Sequence, residues 1–150
     1  MVVRLMTAAD ISSVAALEAA CFSRPWSEEA LFEELHNPTA RFLVADDNGL
    51  VVGYMGMHAL LDEGAITNVA VSPAHRRRGI ARALLRHQAA WGGQNGLSRL
   101  MLEVRASNIA ARALYEQEGF VFDGVRPRFY DRPVEDAALY SLYLKEGSTV

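Results

Sequence analysis

The chain contains 150 residues, of which 51% are hydrophobic and 22% are charged, a globular composition that argues against wholesale disorder. Its net charge of -3 argues against a general nucleic-acid binder, and its one cysteine, Cys21, excludes an internal disulfide and a cysteine-only zinc site. No apolar run approaches the roughly 18 residues of a membrane span, and residues 1–5 lack a secretory pattern, so we expect a soluble cytoplasmic protein.

Apolar runs bounded by turn residues predict seven strands. In chain order they cover residues 2–6, 42–45, 50–60, 65–71, 100–104, 120–125 and 137–144. Helical spacing of apolar residues, with capping residues in front, predicts four helices. These helices begin near Thr7, Ser27, Gly79 and either Ser107 or Asn108, and they end before Pro25, at Asn37, at Gly92 and at Gln117, respectively. Residues 46–49 have the composition of a hairpin turn.

This order of elements predicts one domain of the α/β (α+β) class. The early and late strands follow one another directly, which favours antiparallel pairing, whereas helices between the middle strands favour crossover connections. We therefore expect a mixed central sheet of about seven strands with flanking helices, formed by residues 1–150. The tail at residues 145–150 is expected to be loose.

A basic segment, Arg76-Arg77-Arg78-Gly79, stands between the strand ending at Val71 and the next helix. The N–H groups at a helix start and the positive end of its dipole form an anion site. Gly79 carries no side chain, so a phosphate can approach the backbone, and Ala81 keeps that approach open. A solvated basic helix start is an equally good interpretation of this segment alone. The segment lacks the Lys-Ser/Thr pair of a P-loop and the three glycines of a dinucleotide fingerprint.

A second segment, Leu102-Glu103-Val104-Arg105-Ala106-Ser107-Asn108, ends a predicted strand and starts a helix, and Ala113-Leu114-Tyr115-Glu116 and Gly119-Phe120 follow it. Together with residues 76–81, these segments resemble the GNAT superfamily of acetyltransferases. Pro25-Trp26-Ser27 is similar to the RimI branch, bacterial enzymes that acetylate the N-terminal alanine of a small-subunit ribosomal protein. The resemblance implies the GNAT fold and acetyl-CoA as the acetyl donor.

The resemblance covers roughly residues 2–144 and implies the cofactor contacts residue by residue. Backbone groups of Val69, Ala70 and Val71 are expected to hold the pantetheine arm, which Asn108 also contacts. The pyrophosphate is expected against Arg76, Arg77, Arg78, Gly79, Ile80, Ala81 and Arg82, where Ala81 replaces the glycine of many relatives. No metal is implied. The expected partner is a protein N-terminus, without membrane or direct nucleic-acid binding.

Glu103 and Tyr115 are the candidate base and acid. Glu103 lies between the apolar residues Leu102 and Val104, and partial burial would raise its pKa toward a useful value. The alternative is an exposed carboxylate, or one paired with an arginine. Tyr115 follows Asn108 by seven residues on the same helix stripe, and the alternative is a core tyrosine with a surface hydroxyl. The resemblance implies that Glu103 accepts the amine proton through a water and that Tyr115 assists the leaving thiolate.

Trp26 and Tyr130 are the candidate acceptor-binding residues, and loop anchoring is the alternative for both. Tyr130 is expected in the loop between the last two strands. His87 shares the predicted apolar stripe with Leu84 and Trp91, so we expect it in the core. Two other functions stay open: acetylation of a small amine or a lysine side chain, and acyl-CoA binding without catalysis.

Overall fold

A computed structural model of the protein describes residues 1–144, so the tail predicted to be loose, residues 145–150, lies outside the described residues. Its strands are β1 (Val2–Leu5), β2 (Ala40–Asp47), β3 (Leu50–Leu60), β4 (Glu63–Val71), β5 (Arg99–Arg105), β6 (Val121–Tyr130) and β7 (Glu135–Tyr143). Its α-helices are α1 (Ile11–Cys21), α2 (Glu28–Leu35), α3 (Ile80–Gln94) and α4 (Ile109–Gln117). This succession confirms the predicted order of strands and helices.

The strands form one sheet in the order β1-β2-β3-β4-β5-β7-β6. Antiparallel ladders join β1 to β2, β2 to β3, β5 to β7 and β6 to β7. β4 and β5 pair in parallel, with Glu63 opposite Arg99 and Ala65 opposite Met101. Parallel neighbours require a crossover connection, and α3 lies between these two strands in the chain. The predicted mixed sheet is therefore confirmed.

The chain divides into two compact units, which are described separately. The first unit comprises Met1–Ala59 and Thr67–Gln88, and the second comprises Leu60–Ile66 and the described residues from Ala89 onward. β4 thus contributes its first residues to the second unit and its last residues to the first.

The core of the first unit joins α1 and α2 to β2, β3 and the end of β4. Its buried members are Met6, Ile11, Val14, Leu17, Leu31, Phe42, Val44, Val51, Tyr54 and Ala70. Burial of such side chains contributes about 1.5–3 kcal/mol each. Gly56 is needed for this packing because a Cβ there would lie 2.5 Å from the Phe42 ring.

Capping and turn residues set most of these element boundaries where the sequence predicts them. The Ser27 hydroxyl caps α2 by accepting the Ala30 N–H at 3.1 Å. Asn48 and Gly49 adopt φ angles of 53° and 91°, which suit a two-residue hairpin turn between β2 and β3. Thr7 instead caps a short 3-10 turn, Ala8–Asp10, so α1 begins at Ile11, three residues after the expected first helical residue, Ala8.

The core of the second unit is built on β5, whose side chains alternate between a buried face and a more exposed face. Leu100, Leu102 and Val104 are buried on one face, and the residues between them point to the other face. From α4 and the following strands, Tyr115, Phe120, Ala138 and Tyr140 complete the core. Asn108 caps α4 as predicted, because its side chain accepts the Ala111 N–H at 3.2 Å.

Two placements predicted from the sequence are wrong. β6 continues to Tyr130, so this residue ends a strand instead of lying within a loop; pairing of Tyr130 with Glu135 across an irregular ladder extends the strand. His87 is exposed, and the buried residue of that helix turn is Gln88. The Gln88 amide donates to the carbonyl of Arg41 at 2.9 Å, so a buried polar group is satisfied there.

Candidate functional site

The basic segment in the first unit is an exposed helix start. A short 3-10 turn, Pro73–His75, leads out of β4, and α3 begins at Ile80, which is buried and anchors the helix. The three side chains before it, Arg76, Arg77 and Arg78, are exposed. Three guanidinium groups and the N-terminus of a helix therefore share one short segment of the surface, an arrangement that attracts polyanions.

The backbone of this segment turns sharply at two positions. Arg77 has a φ of 64° and Gly79 has a φ of 75°, both in the left-handed region. A Cβ on Gly79 would meet no atom within 4 Å, so the space in front of its backbone is open. Turns of this kind point backbone N–H groups into a shared concavity that suits phosphate oxygens. Ala81 and Arg82 follow in the first turn of α3 and are half-buried.

The end of β4 adjoins α1. Ala70 is buried, whereas Val69 and Val71 are half-buried. The Cys21 thiol, at the end of α1, donates to the carbonyl oxygen of Val71 at 3.5 Å. Arg76 Nη2 lies 3.7 Å from the same sulfur. The last turn of α1 therefore contacts both the strand expected to hold the pantetheine arm and the first arginine of the basic segment.

Trp26, also in the first unit, is half-buried immediately before α2. Its ring packs near Phe42, with ring centroids 6.4 Å apart. Its backbone N–H donates to Glu18 Oε1 at 2.9 Å, and the Tyr54 hydroxyl donates to Glu18 Oε2 at 2.5 Å. Neither Glu18 nor Tyr54 was a candidate from the sequence. Spacing offers one signal, because Glu18 falls four residues after Val14 on the buried stripe of α1.

Glu103, in the second unit, lies on the face of β5 opposite the core. Its side chain is 35% exposed, and Arg126 Nη1 donates to its Oε1 at 3.2 Å. The Glu103 side chain is therefore partly buried, and it is also paired with an arginine, as the non-catalytic alternative holds. The carboxylate is nevertheless open to water, as a base that acts through water requires.

Tyr115 and Tyr130 lie near each other in the second unit, and Tyr130 also lies near Glu103. Tyr115 is 7% exposed between the rings of Phe120 and Tyr140. Burial, with a smaller contribution from Tyr130, raises the pKa of Tyr115 to about 12. Burial and the neighbouring Glu103 carboxylate raise the pKa of Tyr130 to about 12. Both phenols therefore stay protonated at neutral pH and act as hydrogen-bond donors.

Asn108 stands at the exposed start of α4, where its Oδ1 serves as the helix cap. The preceding turn is held by Glu135, whose Oε2 accepts the Ser107 N–H at 2.6 Å. Hydrogen bonds from Ser107 and Arg105 lower the pKa of Glu135 below its ordinary value. The acidic side chain at 135 thus has a structural role at the start of α4.

The predicted site residues fall into two groups. The first unit contains Trp26, Val69, Ala70, Val71, Arg76, Arg77, Arg78, Gly79, Ile80, Ala81 and Arg82, and the second contains Glu103, Asn108, Tyr115 and Tyr130. Within residues 1–144 no cluster of three His, Cys, Asp or Glu side chains is arranged to hold a metal ion. Over the same residues, no helix is both long and apolar enough to cross a membrane.

Comparison with known proteins gives consistent matches. The model of the acetyltransferase (GNAT) family matches residues 11–120. The ribosomal protein bS18-alanine N-acetyltransferase of Escherichia coli strain K12 is 34% identical over 135 residues, which cover 89% of this chain and 90% of that protein. The enzyme of the same name from Salmonella typhimurium strain LT2 is 34% identical over 146 residues, 93% of this chain and 95% of that protein.

Solved structures agree with these matches. The crystal structure of the ribosomal-protein-S18-alanine N-acetyltransferase from Escherichia coli superposes with a TM-score of 0.89 at 30% identity, covering 99% of this chain and 97% of that one. Ard1 from Thermoplasma volcanium superposes with a TM-score of 0.88 at 23% identity, covering 97% of this chain and 98% of that one. The second match is evidence for the fold alone.

Proposed function

Because this chain belongs to the acetyltransferase (GNAT) family, we propose that it transfers the acetyl group of acetyl-CoA to the N-terminal α-amine of a protein. The acceptor in this proposal is the N-terminal alanine of ribosomal protein bS18, so the reaction takes place in the cytoplasm. The observation that carries the proposal is 34% identity over 89% of the chain to an enzyme named for that reaction. Residues 11–120, matched by the family, include parts of both units, which supports one functional domain over residues 1–150.

The amine must be neutral to attack the thioester, and this requirement favours an α-amine over a lysine side chain as the acceptor. An α-amino group has a pKa of about 7.7–8.0, so roughly a tenth or more is neutral near pH 7, against about 0.04% of a lysine amine. Such an acceptor needs only modest help from a base. Glu103 supplies this help in the proposed mechanism. Its carboxylate, which is open to water and also accepts a hydrogen bond from Arg126, takes the amine proton through a water.

Tyr115 assists the leaving thiolate in this mechanism. A free thiol has a pKa of about 8.5, so a phenol with a pKa of about 12 is the weaker acid. Its hydroxyl therefore stabilises the developing negative charge on sulfur by donating a hydrogen bond, with full proton transfer a minor contribution. The enclosing rings of Phe120 and Tyr140 hold the phenol in one orientation.

The residues of the basic segment fit the pyrophosphate of acetyl-CoA. Arg76, Arg77 and Arg78 are exposed, and the backbone before α3 is open in front of Gly79. When bound, acetyl-CoA supplies an activated acetyl thioester. The backbone of Val69, Ala70 and Val71 is proposed to hold the pantetheine arm, and Asn108 to contact it from the start of α4.

Mass spectrometry of a peptide that begins with alanine tests this proposal. The peptide carries basic residues and one internal lysine, and it is incubated with the protein and acetyl-CoA before the acetyl group is located by fragmentation. We expect acetylation of the α-nitrogen, and no reaction of the matched peptide whose N-terminus is already blocked. Acetylation of the lysine alone would favour a lysine or small-amine acetyltransferase. Tight binding of acetyl-CoA without turnover of peptides, polyamines or other small amines would favour a non-catalytic acyl-CoA-binding module.

A further inference from the structure

Glu18 is a buried carboxylate that the proposed chemistry does not use. It is 2% exposed and lies on the core face of α1, where Ile11, Val14 and Leu17 are apolar. A carboxylate is costly to bury unless hydrogen-bond donors reach its oxygens. Here each oxygen has a donor, Trp26 N–H on Oε1 and the Tyr54 hydroxyl on Oε2. An apolar side chain would fill the same space without this cost, so packing alone does not account for a glutamate.

The first and last residues of the loop between α1 and α2 both donate a hydrogen bond to Glu18. Its first residue, Phe22, donates its N–H to the main-chain carbonyl of Glu18 at 2.9 Å. Its last residue, Trp26, donates its N–H to the side chain of Glu18 at 2.9 Å. The residues between these two bonds, residues 23–25, are exposed. We call residues 22–26 the clamped loop.

Neighbouring groups hold the Glu18 carboxylate still. The Tyr54 side chain is fully buried, and burial together with the adjacent carboxylate raises the pKa of its phenol, which therefore remains a donor. On the far side of the clamped loop, Ser27 caps α2 directly after Trp26. A shift of Glu18 would therefore be transmitted to the backbone of Trp26 and to the start of α2.

We propose that Glu18 is a positioning residue that fixes the clamped loop, and with it Trp26, to receive the N-terminal residue of the acceptor protein. This inference rests on the proposed function and on Trp26 as a candidate acceptor-binding residue of the sequence analysis. Glu18 touches neither substrate in this proposal and acts through the Trp26 backbone. The geometry therefore connects it to acceptor binding through Trp26.

The decisive variant is Glu18→Met, which fills a similar space but removes both carboxylate oxygens. The Trp26 N–H and the Tyr54 hydroxyl then both lose their acceptor on residue 18. We expect the KM for an alanine-starting peptide to rise roughly fivefold or more, because small displacements of positioning groups have large kinetic effects. We expect the dissociation constant of acetyl-CoA to stay at the wild-type value.

Two control variants separate positioning from stability. Asp10→Asn removes another buried carboxylate of the first unit, one that bonds Arg4 and Thr7 and does not bond Trp26. It should lower the melting temperature and leave the KM for the peptide unchanged. Tyr54→Phe removes one donor to Glu18 and keeps the bond to Trp26, so its KM should rise less than that of Glu18→Met. A Glu18→Met protein with wild-type KM, or with KM and acetyl-CoA affinity impaired together, would overturn the proposal.

A readout independent of turnover tests the clamp itself. In a Trp91→Phe background, Trp26 is the only tryptophan left of the two in the sequence. Acrylamide should quench its fluorescence more strongly in Glu18→Met than in the parent, because the Trp26 end of the clamped loop is released. Equal quenching would refute the clamp, whatever the acceptor. Failure of the wild-type protein to acetylate the peptide would instead refute the proposed function, so the two failures are distinguishable.

Discussion

The guanidinium of Arg105 lies 4.6 Å from the centre of the Tyr130 ring, close enough for a cation–π contact. The same group donates to the carbonyl oxygens of Asp131 at 2.9 Å and Pro133 at 3.0 Å. One side chain at the end of β5 therefore holds the end of β6 and the turn that follows it. The position of Tyr130, a proposed acceptor contact, depends on this arginine.

Replacement of Arg105 by lysine should loosen that turn. Lysine keeps the charge but lacks the planar fork that reaches two carbonyls and a ring together. We expect the KM for the acceptor peptide to rise severalfold and the stability to fall by about 1 kcal/mol. Steady-state kinetics and urea unfolding measure the two effects. An Arg105→Lys protein with wild-type KM would show that the turn does not shape the acceptor site.

Tyr115→Phe should reduce kcat by about a hundredfold and leave the KM for the peptide unchanged, because the hydroxyl acts only as charge develops on sulfur. The pKa of about 12 also predicts a pH profile. The Tyr115 phenol stays protonated from pH 7 to pH 10, so the wild-type kcat should show no loss of this donor over that range. A fall in kcat near pH 9 that disappears in Tyr115→Phe would contradict the raised pKa.

Glu103→Gln should lower kcat/KM most strongly near neutral pH. Above pH 8 the acceptor α-amine is mainly neutral without help, so the difference from wild type should shrink. We expect about a tenfold loss at pH 7 and a much smaller one at pH 9. Arg126→Gln, which removes the ion-pair partner alone, is the matched control and should retain most activity. Equal losses at both pH values would argue against a base.

Gly79→Ala should weaken acetyl-CoA binding through the backbone. A left-handed residue with a Cβ costs roughly 1–2 kcal/mol, and here no side-chain clash adds to it because the space is open. Gly93→Ala, within α3, also meets nothing within 4 Å, and alanine should stabilise the helix by about 0.5 kcal/mol. Calorimetry of acetyl-CoA binding should therefore show a loss at position 79 alone.

The ion pair between Arg4 and Asp10 predicts acid sensitivity. Arg4 Nη1 lies 2.8 Å from Asp10 Oδ2, and this bond lowers the pKa of Asp10 below its ordinary 3.8. Because the folded-state pKa is lowered, the stabilisation is complete above the ordinary value and is lost as pH falls through the folded value. Asp10→Asn should lower the free energy of unfolding by about 1–3 kcal/mol at pH 7. That difference should narrow in urea titrations below pH 4.

Short-range signals in the sequence predicted much of this fold. Ser27 and Asn108 cap helices because their side chains reach the N–H three residues on, a contact that needs no tertiary information. Asn48-Gly49 forms its turn because both residues tolerate a positive φ. The family resemblance carried by residues 102–108 and 113–116 is likewise confirmed by the match to the GNAT family.

The surroundings of individual side chains were harder to predict from the sequence, because they depend on which helix or strand packs against them. His87 and Gln88 both fit a stripe that starts at Ile80, and the pattern could not tell which faces inward. Gln88 does, since Arg41 and Met55 supply partners for its amide. Alternation along β5 places Glu103 on the face opposite Leu102 and Val104, as expected, but the sequence did not show that Arg126 is its partner. The hydrogen-bond partners of Glu18 are Tyr54 in β3 and Trp26 in the loop that follows α1. No pattern in the sequence around Glu18 indicates that these two residues meet it.

Both ends of the clamped loop are hydrogen-bonded to Glu18, so its middle residues are a suitable place to introduce sequence variation. The Phe22 N–H and the Trp26 N–H both donate to Glu18, so we expect Ser23 to vary with little effect on the chain on either side. A library randomised at Ser23, with Glu18 and Trp26 kept, is therefore a way to alter the preference of the proposed acceptor site for the N-terminal residue.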